Sequence, residues 1–392
     1  MTREEVREEI LRLNNRSVLI ELPTSFGKSK IGIDLALRDK PNNILIVVPR
    51  LVLIDNWKEE FNKWGMGKWL DIVKFSTYVG LDHYEKSNYD CVIFDEAQHL
   101  SDRCLSIVKT MNITRSILLS ATVTKTLKNE LRCKFPNLFC YQVKMKEAID
   151  NDILPDPRVF LVPLVLDNTK ADQVYIKRSK AGIKVTCSYD NRWEYLKRKG
   201  IELHIICTQK QYILMLNEDI EFWKNRYMRL KRLGFKTKWL YLAGQRLKYL
   251  SQLKNPFIKP YLQDIMNERV LTFCNSIEQT EILGKNCINS KNKESSLILE
   301  RFNKKEINHI TTCNMLNEGI NLVDCRIGLY ANLNSSDIII KQRLGRILRH
   351  KKPVIIIPYF KHTREEELVQ KMLEDYNEEL ISVVNNFNEI VL

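Results

Sequence analysis

No stretch of about eighteen uninterrupted apolar residues occurs anywhere in the 392 residues. No signal peptide opens the chain, so the expectation is a soluble protein that stays where it is made, in the cytoplasm (a host's cytoplasm, were it viral). None of the ten cysteines lies in a Cys-x-x-Cys pair, and without close ligand pairs a structural zinc site is not expected. Cys91, Cys207 and Cys274 sit instead in apolar runs, where a free thiol acts as a small hydrophobe in a reducing compartment. The six histidines do not cluster with acids except at His99, which leaves no visible nuclease constellation. Internal repeats and low-complexity tracts are also missing.

What is present is positive charge. Lys and Arg exceed Asp and Glu by 14, the pI is about 9.2, and 44% of the residues are hydrophobic. Such a chain can bury two cores, and its field favours a polyanionic partner, nucleic acid or an acidic membrane.

The stretch Cys91-Val92-Ile93-Phe94-Asp95-Glu96-Ala97-Gln98-His99 reads as a short buried parallel strand running into two acids. Open α/β sheets bind ligands at that carboxyl edge. Adjacent buried carboxylates repel unless a cation lies close, and Mg²⁺ carried by phosphates would serve. An exposed acidic turn is the plain alternative. Upstream, a strand over Ser17 to Glu21 leads to Leu22-Pro23-Thr24-Ser25-Phe26-Gly27-Lys28-Ser29, and then Ile31, Ile33, Leu35 and Ala36 fit a helix. Strand, loop, Gly-Lys-Ser and helix form a phosphate cradle, in which Lys28 reaches phosphate oxygens and Ser29 offers a hydroxyl to Mg²⁺. Leu22 stands where the full pattern has glycine.

Further strands are predicted over Asn43 to Val48, Val73 to Ser76 and Ser116 to Leu119, with a helix carrying Leu51, Leu53, Ile54, Trp57 and Phe61. Residues 151–157 read as a linker. From about 168 to 254, Lys and Arg are dense and interleaved with Tyr175, Trp193, Trp223, Tyr227, Trp239 and Tyr241. Helices are expected over Ile220 to Leu233 and Leu240 to Leu253. Cations pair with phosphates and aromatic faces stack on unpaired bases, although the same residues also suit an ordinary solvated insertion. Strands follow at Arg269 to Cys274, Ile310 to Cys313 and Pro353 to Pro358, and Gln342, Arg346 and Arg349 would share one helix face.

Taken together these pieces resemble the superfamily 2 helicases. Pro23 to Ser29 is similar to motif I, Val48-Pro49-Arg50-Leu51 with Trp57 to motif Ia, and Phe75-Ser76-Thr77-Tyr78 to motif Ib. Asp95 to His99 resembles a DEAH-type motif II, and Leu119-Ser120-Ala121-Thr122 matches motif III. Arg269 to Cys274 resembles motif IV, Asn314 to Leu322 motif V, and Gln342 to Arg349 motif VI. The resemblance implies an α/β fold of two RecA-like parallel-sheet domains, 1–150 and 151–392, with a basic, largely helical insertion in the second. It implies ATP and Mg²⁺ as ligands and a nucleic-acid-stimulated ATPase working as helicase or translocase. Catalysis falls to Lys28, Asp95, Glu96, Gln342, Arg346 and Arg349. Nucleotide contact falls to Thr24, Ser25, Phe26, Gly27, Lys28, Ser29, Gly319 and Asn321, and the metal to Ser29 and Asp95. Pro49, Arg50, Thr77, Thr122 and Asn317 would touch nucleic acid. The style is closer to phage repair helicases and restriction motors than to DEAD-box proteins, so DNA is favoured over RNA, with a monomer acting on it. The family's adenine-reading glutamine upstream of motif I has no counterpart here. An ATP-gated clamp that does not unwind, an RNA helicase and a scaffold with a dead site stay open as alternatives.

Overall fold

The computed structural model describes all residues except 136, 178–182, 314–321, 334–342, 344 and 375. Its first sheet is six-stranded and parallel, built from β1 (Ser17–Glu21), β2 (Ile44–Val48), β3 (Val73–Thr77), β4 (Asn88–Asp95), β5 (Asn112–Ser120) and β6 (Phe139–Gln142). The strands lie in the order β3-β2-β4-β5-β1-β6. Strands β1 and β2 are buried at every residue, as continuous Val, Leu and Ile runs require when helices cover both faces. One covering helix, Lys28–Leu37, buries Ile31, Ile33, Leu35 and Ala36, and another, Val52–Lys63, buries Leu53, Trp57 and Phe61.

The second sheet is also parallel. It begins with β7 (Arg158–Leu164), and the chain then leaves it for a small subdomain before returning. That excursion opens with β8 (Gln173–Lys177), β9 (Ile183–Ser188) and β10 (Ile201–Cys207), a three-stranded sheet in the order β8-β10-β9. Two helices follow, Gln209–Leu230 and Leu233–Leu253, folded back on one another as a hairpin. At 22 residues the first arm is about 33 Å long. The chain re-enters the sheet through β11 (Val270–Phe273), β12 (Cys287–Ile288), β13 (His309–Thr312), β14 (Ile327–Tyr330), β15 (Val354–Phe360) and β16 (Ile381–Val383). Their order is β12-β13-β11-β14-β15-β7-β16.

The insertion therefore carries strands as well as the expected helices, and both hairpin helices begin well before the expected positions. Tyr175, Cys187, Leu203, Ile205 and Cys207 on one face of its sheet pack against Met215, Leu216 and Ile220 of the hairpin, giving it a core of its own. Among the described residues no helix is long and apolar enough to cross a membrane.

Candidate active site

All the strands of the first sheet point the same way, so its carboxyl edge gathers the loops after β1, β2, β3, β4 and β5. After β1 the chain turns through Pro23 to Gly27. Ser25 and Gly27 both take positive φ, 74° and 101°. A Cβ at Gly27 would meet nothing within 4 Å, so the loop borders open space there. The helix then starts at Lys28 without any side-chain cap on its first N–H groups, which leaves them for an anion. Leu22, the departure from the full glycine pattern, is wholly buried in the domain core, and its N–H donates to the Ser120 carbonyl over 3.1 Å. The left-handed turn is made three and five residues later instead. Lys28 Nζ donates to the Leu22 carbonyl over 3.2 Å and so lies folded over the cradle.

Asp95 ends β4, two strands from β1 in the sheet. Its Oδ2 accepts the indole N–H of Trp57 at 2.9 Å, and its carbonyl accepts the Tyr78 hydroxyl at 2.7 Å. Glu96 takes left-handed backbone, φ 51°, which turns its side chain back over the edge. Glu96 Oε2 accepts from the Gln98 amide at 2.8 Å, and Gln98 Oε1 accepts the Ser120 hydroxyl at 2.6 Å. The Thr122 N–H donates to the same Ser120 oxygen over 3.1 Å. One chain of hydrogen bonds thus runs from the acid after β4 to the Ser-Ala-Thr turn after β5.

Enclosure and the adjacent Glu96 push the Asp95 carboxyl up to about 6, against the pull of Trp57 and Lys28. Burial pushes Lys28 down, while Glu96 and Asp95 hold its charge and Arg346 and Arg349 oppose it. Two crowded acids facing one lysine suit a divalent cation carried in with phosphates. The residues present fit Mg²⁺–ATP.

Arg346 and Arg349 come from the second domain, and direct contacts bring them to the cradle. The Ser25 hydroxyl bonds the Gly345 carbonyl, and Arg349 Nε–H donates to Ser25 Oγ over 3.0 Å. A Cβ at Gly345 would fall 1.3 Å from Thr24 Oγ1 and 2.3 Å from its Cβ. Only glycine lets the two backbones meet here. Arg346 is buried at 4% exposure and Arg343 at 1%. Gln342, Asn317, Gly319 and Asn321 lie outside the described residues.

Pro49 and the exposed Arg50 follow β2 and Thr77 ends β3, on the same edge but displaced from the phosphate cradle. Three strand spacings separate β2 from β1, about 14 Å. Thr122 lies between, after β5. Beside Arg50 and Thr77 stand Leu51 and Val79, 72% and 75% exposed. The hairpin keeps Lys224, Arg226, Arg229, Lys231, Arg232, Lys236 and Lys238 in solvent. Many of its aromatics are used internally: Tyr212 stacks on Tyr249 at 4.3 Å, and Trp223 packs near Phe222 and Phe235. Tyr241 is exposed, as is Trp193 in the segment before it. The plain reading holds for part of that set.

Two family models match the chain, one in each domain. Residues 2–77 match the type III restriction enzyme res subunit, and residues 253–351 match the helicase conserved C-terminal domain. Together the two matches and the relative below support a superfamily 2 helicase. It is accordingly an ATP-hydrolysing enzyme that acts on nucleic acid. The C-terminal match starts at the foot of the hairpin, so the insertion falls outside both models. A "DNA 3'-5' translocase XPB2" of Sulfurisphaera tokodaii is 24% identical over 93% of this helicase and 80% of that protein. Among solved structures, S. cerevisiae Dbp5 bound to RNA and ADP BeF3 superposes with a TM-score of 0.59 at 12% identity, over 97% of this chain and 88% of that one. The type ISP restriction-modification enzyme LlaBIII bound to DNA gives 0.55 at 12% identity, over 98% of this chain and 31% of that one. Both likenesses concern the fold.

Sequence reasoning named the acids and arginines but missed what holds them. Trp57 reads from the sequence as a helix-core position and part of motif Ia, Gln98 only as part of motif II, and the Thr24–Gly345 approach carries no local signal.

Proposed function

We propose that this helicase is a DNA translocase whose nucleotide site is completed only when the second domain closes on the first. The observation that carries the reading is the junction of Thr24 and Ser25 with Gly345 and Arg349. ATP would lie on the uncapped start of the Lys28–Leu37 helix, with Lys28 on the phosphate oxygens and Phe26, Gly27 and the neighbouring backbone forming the cradle. Ser29 and Asp95 would hold Mg²⁺, which when bound supplies charge neutralisation on the phosphates. Glu96, steadied by Gln98 and Ser120, would orient the attacking water and take its proton. Arg346 and Arg349 would meet the charge that builds on the γ-phosphate. Gln342, Gly319 and Asn321 are assigned to the same pocket from the motifs alone.

Because those arginines belong to the other domain, hydrolysis demands closure and product release permits opening, so each turnover can move a strand. Pro49, Arg50, Thr77, Thr122 and Asn317 would hold that strand, with Leu51 and Val79 offering apolar surface to sugars and bases. The exposed cations of the hairpin would add sequence-independent grip. DNA is favoured because the relative matched over most of both chains is a DNA translocase. A single copy working in the cytoplasm completes the reading.

The test is ATP hydrolysis with single-stranded DNA, duplex DNA or RNA, in wild type and in Glu96→Gln. Strong stimulation by DNA over RNA, abolished by the substitution, is the expected result. Stimulation by RNA alone would overturn the substrate, and no stimulation by any polymer would overturn the motor.

A further inference from the structure

The hairpin is exposed at its tip and buried at its foot. Ser251 and Lys254 are fully buried and Asn255 is 9% exposed, unusual for such polar residues at the junction of two helices. Three ties hold this foot. Gln279, itself fully buried, donates to the Ser251 carbonyl at 2.8 Å and to Asn255 Oδ1 at 2.9 Å, and its Oε1 accepts the Asn275 N–H at 2.9 Å. Ser251 Oγ donates to Asn332 Oδ1 at 3.4 Å, and the Asn332 carbonyl accepts Arg343 Nη1–H at 3.1 Å. Lys254 Nζ pairs with Glu365 Oε1 at 2.6 Å, while Glu365 Oε2 accepts the Phe360 N–H at 3.0 Å.

Asn275, Asn332 and Phe360 stand at the carboxyl ends of β11, β14 and β15. The hairpin foot is thus bonded to the same edge as Arg343, whose segment carries Arg346 in a helical turn and Arg349 in the turn that follows. Packing alone does not call for this. Leu250, Ile258, Tyr261 and Leu262 already supply an apolar seat, and apolar side chains often replace a buried ion pair without loss of stability. What directional bonds add is one fixed orientation, so the 21-residue helix Leu233–Leu253, and the arm packed along it, cannot swivel against the sheet.

We propose that Ser251, Lys254, Gln279, Asn332 and Glu365 form a coupling joint, positioning residues through which nucleic acid held on the hairpin biases closure of Arg346 and Arg349 onto the phosphate loop. The proposal rests on the reading that the hairpin grips nucleic acid and that those arginines serve hydrolysis. The two-state element is the domain closure marked by the Thr24–Gly345 contact, which both sites bias. Swivel at the joint would leave each site intact and disconnect them.

The experiment uses the full chain with Gln279→Met and, separately, Lys254→Met combined with Glu365→Gln, which keeps an acceptor for the Phe360 N–H. Melting temperature, affinity for single-stranded DNA, KM for ATP, basal hydrolysis, and hydrolysis at saturating DNA are measured. In both variants affinity, KM and basal rate should stay within about two-fold of wild type while the stimulation factor falls about ten-fold, a change in coupling of ordinary size. Should Gln279→Met melt early, the paired variant carries the test by itself. Full stimulation in a folded variant would overturn the proposal and leave the motor reading standing, and loss of DNA affinity in parallel with stimulation would reduce the joint to a support. A wild type that no polymer stimulates would overturn both readings, and is told apart from the other failures before any variant is made.

Discussion

The phosphate edge of the first sheet and the basic hairpin of the second domain follow opposite rules. At the edge the groups proposed to serve the reaction have fixed partners: Trp57 on Asp95, Gln98 on Glu96, Ser120 on Gln98, Ser25 on Arg349. On the hairpin the cations reach into solvent, and its internal order comes from aromatic packing at its base and core. The contrast fits the role proposed for each. Chemistry needs charge placed before the reaction begins, so that no reorganisation is required. A polyanion of varied sequence needs only a density of cations, and long mobile side chains supply it.

The largest effect should break the ordered side. Glu96→Gln removes the proposed base and should lower kcat about 10³-fold, with DNA affinity unchanged in a filter-binding titration. Gly345→Ala should come next. Its Cβ cannot share space with Thr24, so closure is blocked and the absence of the arginines from the cradle should cost about a hundred-fold in kcat. Nucleotide binding to the first domain, read by calorimetry, should survive. Trp57→Phe keeps the buried ring but removes the N–H held by Asp95. The Mg²⁺ concentration for half-maximal hydrolysis should rise about ten-fold, the usual cost of removing a partner behind a metal ligand.

The smallest effects belong to the solvated side of the comparison. Replacing Arg229, Lys231 and Arg232 together by Gln should leave basal hydrolysis intact. It should flatten the dependence of log affinity on log salt concentration by up to about 2.7, or about 0.9 for each phosphate that is no longer neutralised. A single replacement there that abolished hydrolysis would show that the hairpin is part of the ordered site.

The sheets were legible where they are buried. Ile44 to Val48 and Cys91 to Phe94 are continuous apolar runs, and no other element fits so short a run in that context. The strand–turn–helix unit proposed to hold phosphate was legible because Gly27, Lys28 and Ser29 sit together between an apolar run and a helical pattern. The insertion's sheet escaped because its basic residues drew the reading toward helices. Yet Ile201-Glu202-Leu203-His204-Ile205 alternates with period two, and that pattern marks a half-buried strand. The interdomain contacts were beyond reach for another reason. Ser25 and Gly345 are 320 positions apart, and nothing local at either one announces the other.

Closure itself is the central claim, and distance across the cleft tests it most directly. One spin label would be placed on the exposed Cys133 of the first domain and another on a cysteine introduced by Lys293→Cys in the second. Electron double resonance would then compare the free protein with protein given DNA and a non-hydrolysable ATP analogue. A broad distribution that narrows to a single distance with both ligands, and stays broad in Gly345→Ala, is the expected result. The same distribution in every state, or narrowing in Gly345→Ala as complete as in wild type, would contradict a site assembled by closure.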